Sequence, residues 1–308
     1  MSGFHHEAVL YSGDDEYLDG LLDGICGAVD GDGAVLAAVG EAKVQLLTDA
    51  LGDRADHVRF ADMEQLGRNP ARIIPAWRDF IGDAGPGPLV GISEPDLAGR
   101  SDAELVECRR HESLLNLAFG ESRQWRLLCP YDTEALDPAV LDDARGNHPH
   151  VVENSVRRQS DRYVEPRASL ARDEELPPPA QRPAVLAFTG RDLAIVRSFV
   201  TASGVLAGFT STRLSDLVLA VDELATNSMR HGGGRGVVRT WEEDDGVFVC
   251  EVHDGGWMED PLAGHERPSN LHAGGRGLWL VNRLCDLVQV RASHTGNVVR
   301  LHMRLDSL

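Results

Sequence analysis

Residues 220–234, AVDELATNSMRHGGG, carry Glu223, Asn227 and His231 four positions apart on a helical pattern that then runs into glycine. Four residues is just over one turn, so these groups, with Arg230 beside them, share one side of the helix. Val218, Val221, Leu224 and Ala225 face elsewhere. A carboxylate, an amide and an imidazole on one stripe suit a polar ligand, although the spacing alone is also that of a solvated helix face. A second segment, VFVCEVHDGGWMEDP, ends a strand in Asp254, Gly255 and Gly256. That carboxylate can accept a hydrogen bond from an exocyclic amine, and Gly256 lets a planar ring lie against the backbone; by itself, D-G-G is an ordinary turn. A third, LHAGGRGLWLV, sets Gly274, Gly275 and Gly277 at the opening of a helix, where free N–H groups suit phosphates. Arg276 lies between these glycines and Leu278 follows them.

In this order, over about residues 184–305, the three segments resemble the Bergerat-type ATP site of the GHKL superfamily. ELATNSMRHG stands as its N box, DGG as its first glycine box and GGRGLWLV as its second. Within that superfamily, E-L-x-x-N-x-x-x-H-G, the D-x-G followed by Pro261, and G-x-G-L-x-L-V are most similar to the small anti-sigma-factor serine/threonine kinases. The resemblance implies ATP and Mg²⁺ as cofactors, with the Asn227 amide oxygen on the metal. It implies Glu223 as general base toward a serine or threonine hydroxyl, and Asp254 on the adenine amine with Gly256 against the ring. Gly274, Gly275, Arg276, Gly277 and Leu278 would surround the phosphates at the end of a mobile lid spanning about 257–274, with Arg230 and His231 near them at the helix end. Thr295 would complete the adenine pocket. Trp257 and Met258 stand where many relatives have a further glycine, which puts the hinge of that lid in question. The implied partners are a sigma factor and an anti-anti-sigma (STAS-type) protein.

These segments need a framework, and the 308 residues, 42% of them hydrophobic, are enough for two cores. Upstream of residue 163, strand-like runs such as GAVLAAV and GPLVGISE alternate with helical patterns such as EAKVQLLTDAL and DAELVECRRHESLLNLAF. That alternation predicts a largely parallel α/β sheet. Residues 163–183, YVEPRASLARDEELPPPAQRP, hold five prolines and little apolar content, the composition of a linker. Downstream, helices are expected first and strands after, an α+β sandwich.

The N-terminal half, about residues 4–155, resembles the MEDS-type sensory domain through HEAVLYSGDDEYLDGLL, MEQLGRNPARIIPAW, AGRSDAELVECRRHESLLNLAF and WRLLCPYD. Such domains look like degenerate relatives of RecA-type ATPases. No G-x-x-x-x-G-K-[ST] occurs in the chain, and Glu41 and Ala42 precede Lys43 where a P-loop needs glycines, so no second ATP site is expected. A small-molecule or other signal ligand is implied for this half. His5, His6, Cys108 and His111 are candidates for its pocket or for a metal, Cys108 and His111 at a spacing that suits helix ligands; structural or surface roles explain all four as well.

The expected fold class is therefore α/β throughout. Residues 1–160 form a RecA-like three-layer α/β domain lacking a P-loop, residues 161–183 a Pro-rich linker, and residues 184–308 a two-layer α/β sandwich of the Bergerat ATP-binding fold. A net charge of −19 disfavours nucleic acid and anionic lipid as partners. Five scattered cysteines, an acidic N-terminus unlike a signal peptide and no membrane-length apolar run point to the cytoplasm. A homodimer is compatible with this reading. Two alternatives stay open. One is an ATP-binding adaptor that sequesters partners without phosphotransfer. The other is a histidine kinase, which the proline-rich stretch argues against because it occupies the place of a phospho-accepting helical hairpin.

Overall fold

The computed structural model describes residues 3–171, 175–243, 246–268, 276–293 and 296–305. The chain divides into two compact units, Met1–Arg172 and Asp173–Leu308.

The first unit runs β1 (Phe4–Tyr11), α1 (Gly13–Asp30), β2 (Ala34–Val39), α2 (Glu41–Leu51), β3 (Val58–Asp62), α3 (Met63–Leu66), α4 (Ile73–Asp83), β4 (Leu89–Ser93), α5 (Asp102–Phe119) and β5 (Trp125–Asp132). It closes with α6 (Pro138–Asn147), β6 (His150–Glu153), β7 (Val156–Gln159) and α7 (Pro166–Leu170). The sheet order is β3-β2-β4-β5-β1-β6-β7, parallel except for the β6–β7 hairpin. The apolar runs of β2 and β4 are those of strands covered on both faces. One face packs Val9, Val35, Ala37 and Ile92 against Tyr17, Leu21 and Ile25 of α1 and Leu47 of α2. On the other, Phe4 and Trp125 stack on each other and meet Phe119 of α5 and Trp77 of α4. A side chain at Gly91 would collide with the Trp77 ring at 2.7 Å, so this glycine is what lets the indole lie on the sheet. Local signals set the helix ends: α1 opens with Asp14, Asp15 and Glu16 in its first turn, and α5 with a Ser101–Glu104 capping box. The result is the three-layer α/β domain expected.

The elements after β5 are additions to the sequence reading. Asp137 caps α6 with Pro138 at its first position, and the β6–β7 turn places Asn154 and Ser155 at φ 50° and 59°. Helix α7 lies inside the stretch expected to be linker. Its Ser169 hydroxyl accepts a 2.9 Å hydrogen bond from Ser113 of α5, so that part of the chain belongs to the first unit.

The second unit runs β8 (Ala184–Thr189), α8 (Leu193–Ala207), α9 (Ser211–His231), β9 (Arg235–Glu243), β10 (Val247–Asp254), α10 (Arg276–Leu284), β11 (Leu287–Ser293) and β12 (Gly296–Arg304). Its antiparallel sheet has the order β11-β12-β10-β9-β8. Contrary to the helices-first expectation, it begins with a strand. Only Phe188 of β8 is fully buried, which is why this edge strand shows no alternating pattern. The three helices bury Val196, Val200, Leu217, Val221, Leu224, Leu278 and Val281 against Val238, Phe248, Val252 and Leu301 of the sheet, giving two layers.

One buried charge ties the first unit together. Glu7 of β1 receives Arg126 Nε at 3.1 Å and Arg157 Nε at 3.0 Å. Burial pushes its pKa up, but hydrogen bonding and charge from Arg126, then Arg157, outweigh this and hold the carboxyl below its usual range. The unfolded carboxyl titrates near about 4.3, so this stabilisation is complete above that pH and is lost as pH falls through the lower folded value. Glu7→Gln is expected to cost about 1–3 kcal/mol at neutral pH and to flatten the acid limb of stability, measured by denaturant unfolding across a pH series.

Candidate functional site

Helix α9 buries Leu217, Ala220, Val221, Leu224, Ala225 and Ser228 and leaves Glu223 and Asn227 half-buried on the flank. Arg230 and His231, in the last turn, are exposed. The stripe read from the sequence therefore divides, with the carboxylate and amide sheltered and the two basic groups open to solvent. The sheltered pair faces the first turn of α10: a Cβ at Gly277 would come within 2.9 Å of Asn227 Nδ2 and 3.0 Å of Glu223 Oε2. A side chain there would push the Asn227 amide and the Glu223 carboxylate aside. Next to it, Arg276 is exposed at the helix start while Leu278 is buried in the core. The Gly264 carbonyl accepts from Asn282 Nδ2 at 3.1 Å, so the segment after β10 is tied to α10.

Asp254 ends β10 beside the C-terminus of α9. Ser228 Oγ donates to its Oδ2 at 2.7 Å, while the Gly256 N–H and Asn297 Nδ2 donate to Oδ1 at 2.8 and 3.3 Å. A carboxylate offers about four lone-pair directions, so the half-buried Asp254 keeps capacity for another donor. Two glycines permit this arrangement. A Cβ at Gly232 would lie 2.5 Å from Asp254 Cγ, and one at Gly256 would lie 2.7 Å from the His231 carbonyl oxygen and 2.8 Å from Asn297 Nδ2. A side chain at Gly256 would thus run into the α9 terminus and Asn297. The Gly255 N–H also donates to the Gly232 carbonyl at 3.1 Å, closing the clasp.

The structure brings Glu223, Asn227 and Gly277 together at one point, and Asp254 and Gly256 together at another on the same helix. Gly274, Gly275 and Thr295 lie outside the described residues, as does the lid beyond residue 268. Ser228 and Asn297 were missed by the sequence reading. Ser228 carried a usable signal, a polar residue on the buried flank of α9. Hard oxygen donors, the Asn227 amide and the Glu223 carboxylate, beside a helix N-terminus fit a magnesium-bound phosphate chemically.

In the first unit, a cleft at the carboxyl ends of the strands is lined by Tyr11, Glu41, Lys43, Glu94 and Asp96. This is where ligands enter open α/β sheets. Lys43 lies 4.2 Å from the Tyr17 ring centre and pairs with Asp14 at 2.9 Å. Burial raises the Glu94 pKa even though the Tyr11 hydroxyl donates to it at 2.8 Å.

Comparison with known proteins agrees with this division. Residues 5–149 match the family described as MEDS, the MEthanogen/methylotroph, DcmR Sensory domain, and residues 186–303 match the Histidine kinase-like ATPase domain. The chain joins a MEDS sensory domain to a histidine kinase-like ATPase domain. A solved structure of the RsbU and RsbW domains of a Mycobacterium tuberculosis protein is similar at 20% identity and a TM-score of 0.30, over 40% of this chain and 32% of that one. This chain thus spans about a third of that relative. No curated protein matches. Among the described residues, no helix is long and apolar enough to cross a membrane.

Removing the Ser228 hydroxyl tests the clasp. Ser228→Ala is expected to lower the stability of the second unit by about 1.5–3 kcal/mol, the worth of a hydrogen bond to a charged group, in denaturant unfolding.

Proposed function

We propose that the second unit binds Mg-ATP and transfers its terminal phosphoryl group to a serine or threonine of an anti-anti-sigma partner, with a sigma factor as the competing partner. The first unit then biases that activity through a soluble signal. The observation that carries this reading is the sheltered Glu223–Asn227 pair against the N-terminus of α10, with Asp254 fixed at the other end of the same helix face. The matched ATPase family, which encloses all of these residues, supports it.

In this scheme Asp254, held by Ser228 and Gly256, orients the adenine amine. Asn227 presents its amide oxygen to the metal, and the free N–H groups of α10 with Arg276 face the phosphates. Magnesium, when bound, neutralises phosphate charge. Glu223 accepts the proton of the incoming hydroxyl as its oxygen bonds to the terminal phosphorus, and ADP departs with the electrons of the broken P–O bond. Catalysis then rests on positioning and charge.

Two features favour a hydroxyl acceptor over a histidine. The stretch before β8 holds the five-residue α7 and, over residues 175–183, no helix, so no hairpin is present among the described residues. His111, on the long helix α5, is buried at 2% exposure and so is not presented to a phosphoryl donor.

Full-length protein should gain thermal stability with Mg-ATP, about 2.7 kcal/mol at a hundredfold excess over Kd, and Asn227→Ala and Asp254→Ala should lose that gain. Glu223→Ala should keep nucleotide binding and lose acid-stable labelling of an anti-anti-sigma protein. Nucleotide binding and partner capture without labelling in the wild type would make the chain an ATP-dependent adaptor, and equal stabilisation in all variants would remove the ATP site.

A further inference from the structure

Beneath the first sheet, four side chains from distant parts of the chain converge. His6 lies on β1, Glu112 on α5, Cys129 on β5, and His148 just after α6. All four are buried, and their ligand atoms lie within 4.8 Å of one another. Glu112 Oε2 is 3.2 Å from His6 Nε2 and 3.4 Å from His148 Nε2, and Cys129 Sγ is 3.4 Å from His6 Nε2. A tetrahedral ion with bonds of about 2.0–2.3 Å sets its ligands about 3.3–3.8 Å apart, close to these three separations.

The surrounding hydrogen bonds decide which atoms face the centre. Asn116 Nδ2 donates to the carbonyls of Glu112 and Asn147, so its Oδ1 is the atom turned to His6 Nδ1 at 3.1 Å, and that nitrogen carries the proton. His148 Nδ1 lies 2.7 Å from the Ala144 carbonyl, which can only accept, so it too is the protonated nitrogen. On both rings Nε2 is therefore the atom turned to the Glu112 carboxylate oxygen. His148 Nε2 and Glu112 Oε2 form no hydrogen bond despite full burial. Nitrogen, oxygen and sulfur atoms converging on one point in a dry interior suit a cation held between them.

We propose that His6, Glu112, Cys129 and His148 form a buried site for one divalent transition-metal ion of the zinc class. Two neutral imidazoles, one carboxylate and one thiolate form a mixed N/O/S set that suits Zn²⁺ and balances its charge. Asn116 and the Ala144 carbonyl are the outer partners that orient such ligands. Binding releases the Cys129 thiol proton to solvent. Glu112 also lines a cavity together with Leu97, Leu105, Val106, Tyr131 and Val140. Of the residues singled out from the sequence, only His6 joins the cluster. Cys108 lines the cavity instead, and neither His111 ring nitrogen has a hydrogen-bond partner.

The test uses full-length protein stripped with chelator and titrated with Zn²⁺ and, separately, Co²⁺. One ion per chain, a raised melting temperature and a thiolate-to-cobalt charge-transfer band are expected. His148→Ala and Cys129→Ser should lose stoichiometric binding, and the latter the band, whereas His5→Ala, on the opposite side of β1, should keep both. Absence of stoichiometric binding in folded wild type, a cobalt spectrum without the thiolate band, or loss in His5→Ala with retention in His148→Ala would overturn the site. The wild-type cobalt spectrum decides the matter even where a variant fails to fold.

Discussion

The second unit depends on one close approach, that of the α9 terminus to the end of β10. Gly232 and Gly256 let backbone lie where side chains would collide, and Ser228 and the Gly256 N–H hold the Asp254 carboxylate in that gap. Because Asp254 is fixed relative to α9, it is also fixed relative to Glu223 and Asn227, which sit one and more turns further along the same helix. The site is thus a property of one helix and one strand end, with α10 laid across it.

That dependence explains which parts were legible in the sequence. The Glu223–Asn227 stripe could be read because an amphipathic helix must account for polar groups at helical spacing, and α9 has a clear apolar flank opposite them. Ser228 offered a signal, a polar residue on the buried flank of α9, but not its partner, which lies 26 residues away. Strand β8 escaped because an exposed edge strand carries no inward alternation, and α7 because a five-residue helix in a proline-rich stretch has no period to detect. The buried His-Glu-Cys-His cluster is the extreme case. Its members are joined by contacts up to 142 residues apart, that of His6 with His148, so no local spacing announces them and the neighbouring Cys108–His111 pair drew attention instead.

Both units bury charge with a partner. In the second, Glu251 of β10 is buried with Arg300 of β12 at 2.6 Å. In the first, Glu7 of β1 meets Arg126 from the neighbouring strand β5 and Arg157 from the edge strand β7, and Glu112 sits among imidazoles on the other face of the sheet. Buried carboxylates are tolerated only with such partners, which makes these positions sensitive to loss of a single neighbour.

The pairing of Glu7 with Arg157 has a bearing on synthesis. The two residues are 150 positions apart, and the first strand to leave the ribosome occupies the interior of the sheet, flanked by two of the later-made strands, β5 and β6. Until residue 157 emerges, β1 holds a carboxylate whose full set of counter-charges does not yet exist, and an edge with no strand beside it. The surroundings of β1 are therefore completed only when nearly the whole unit has been made, and the non-local pairing of its strands is of the kind that folds slowly.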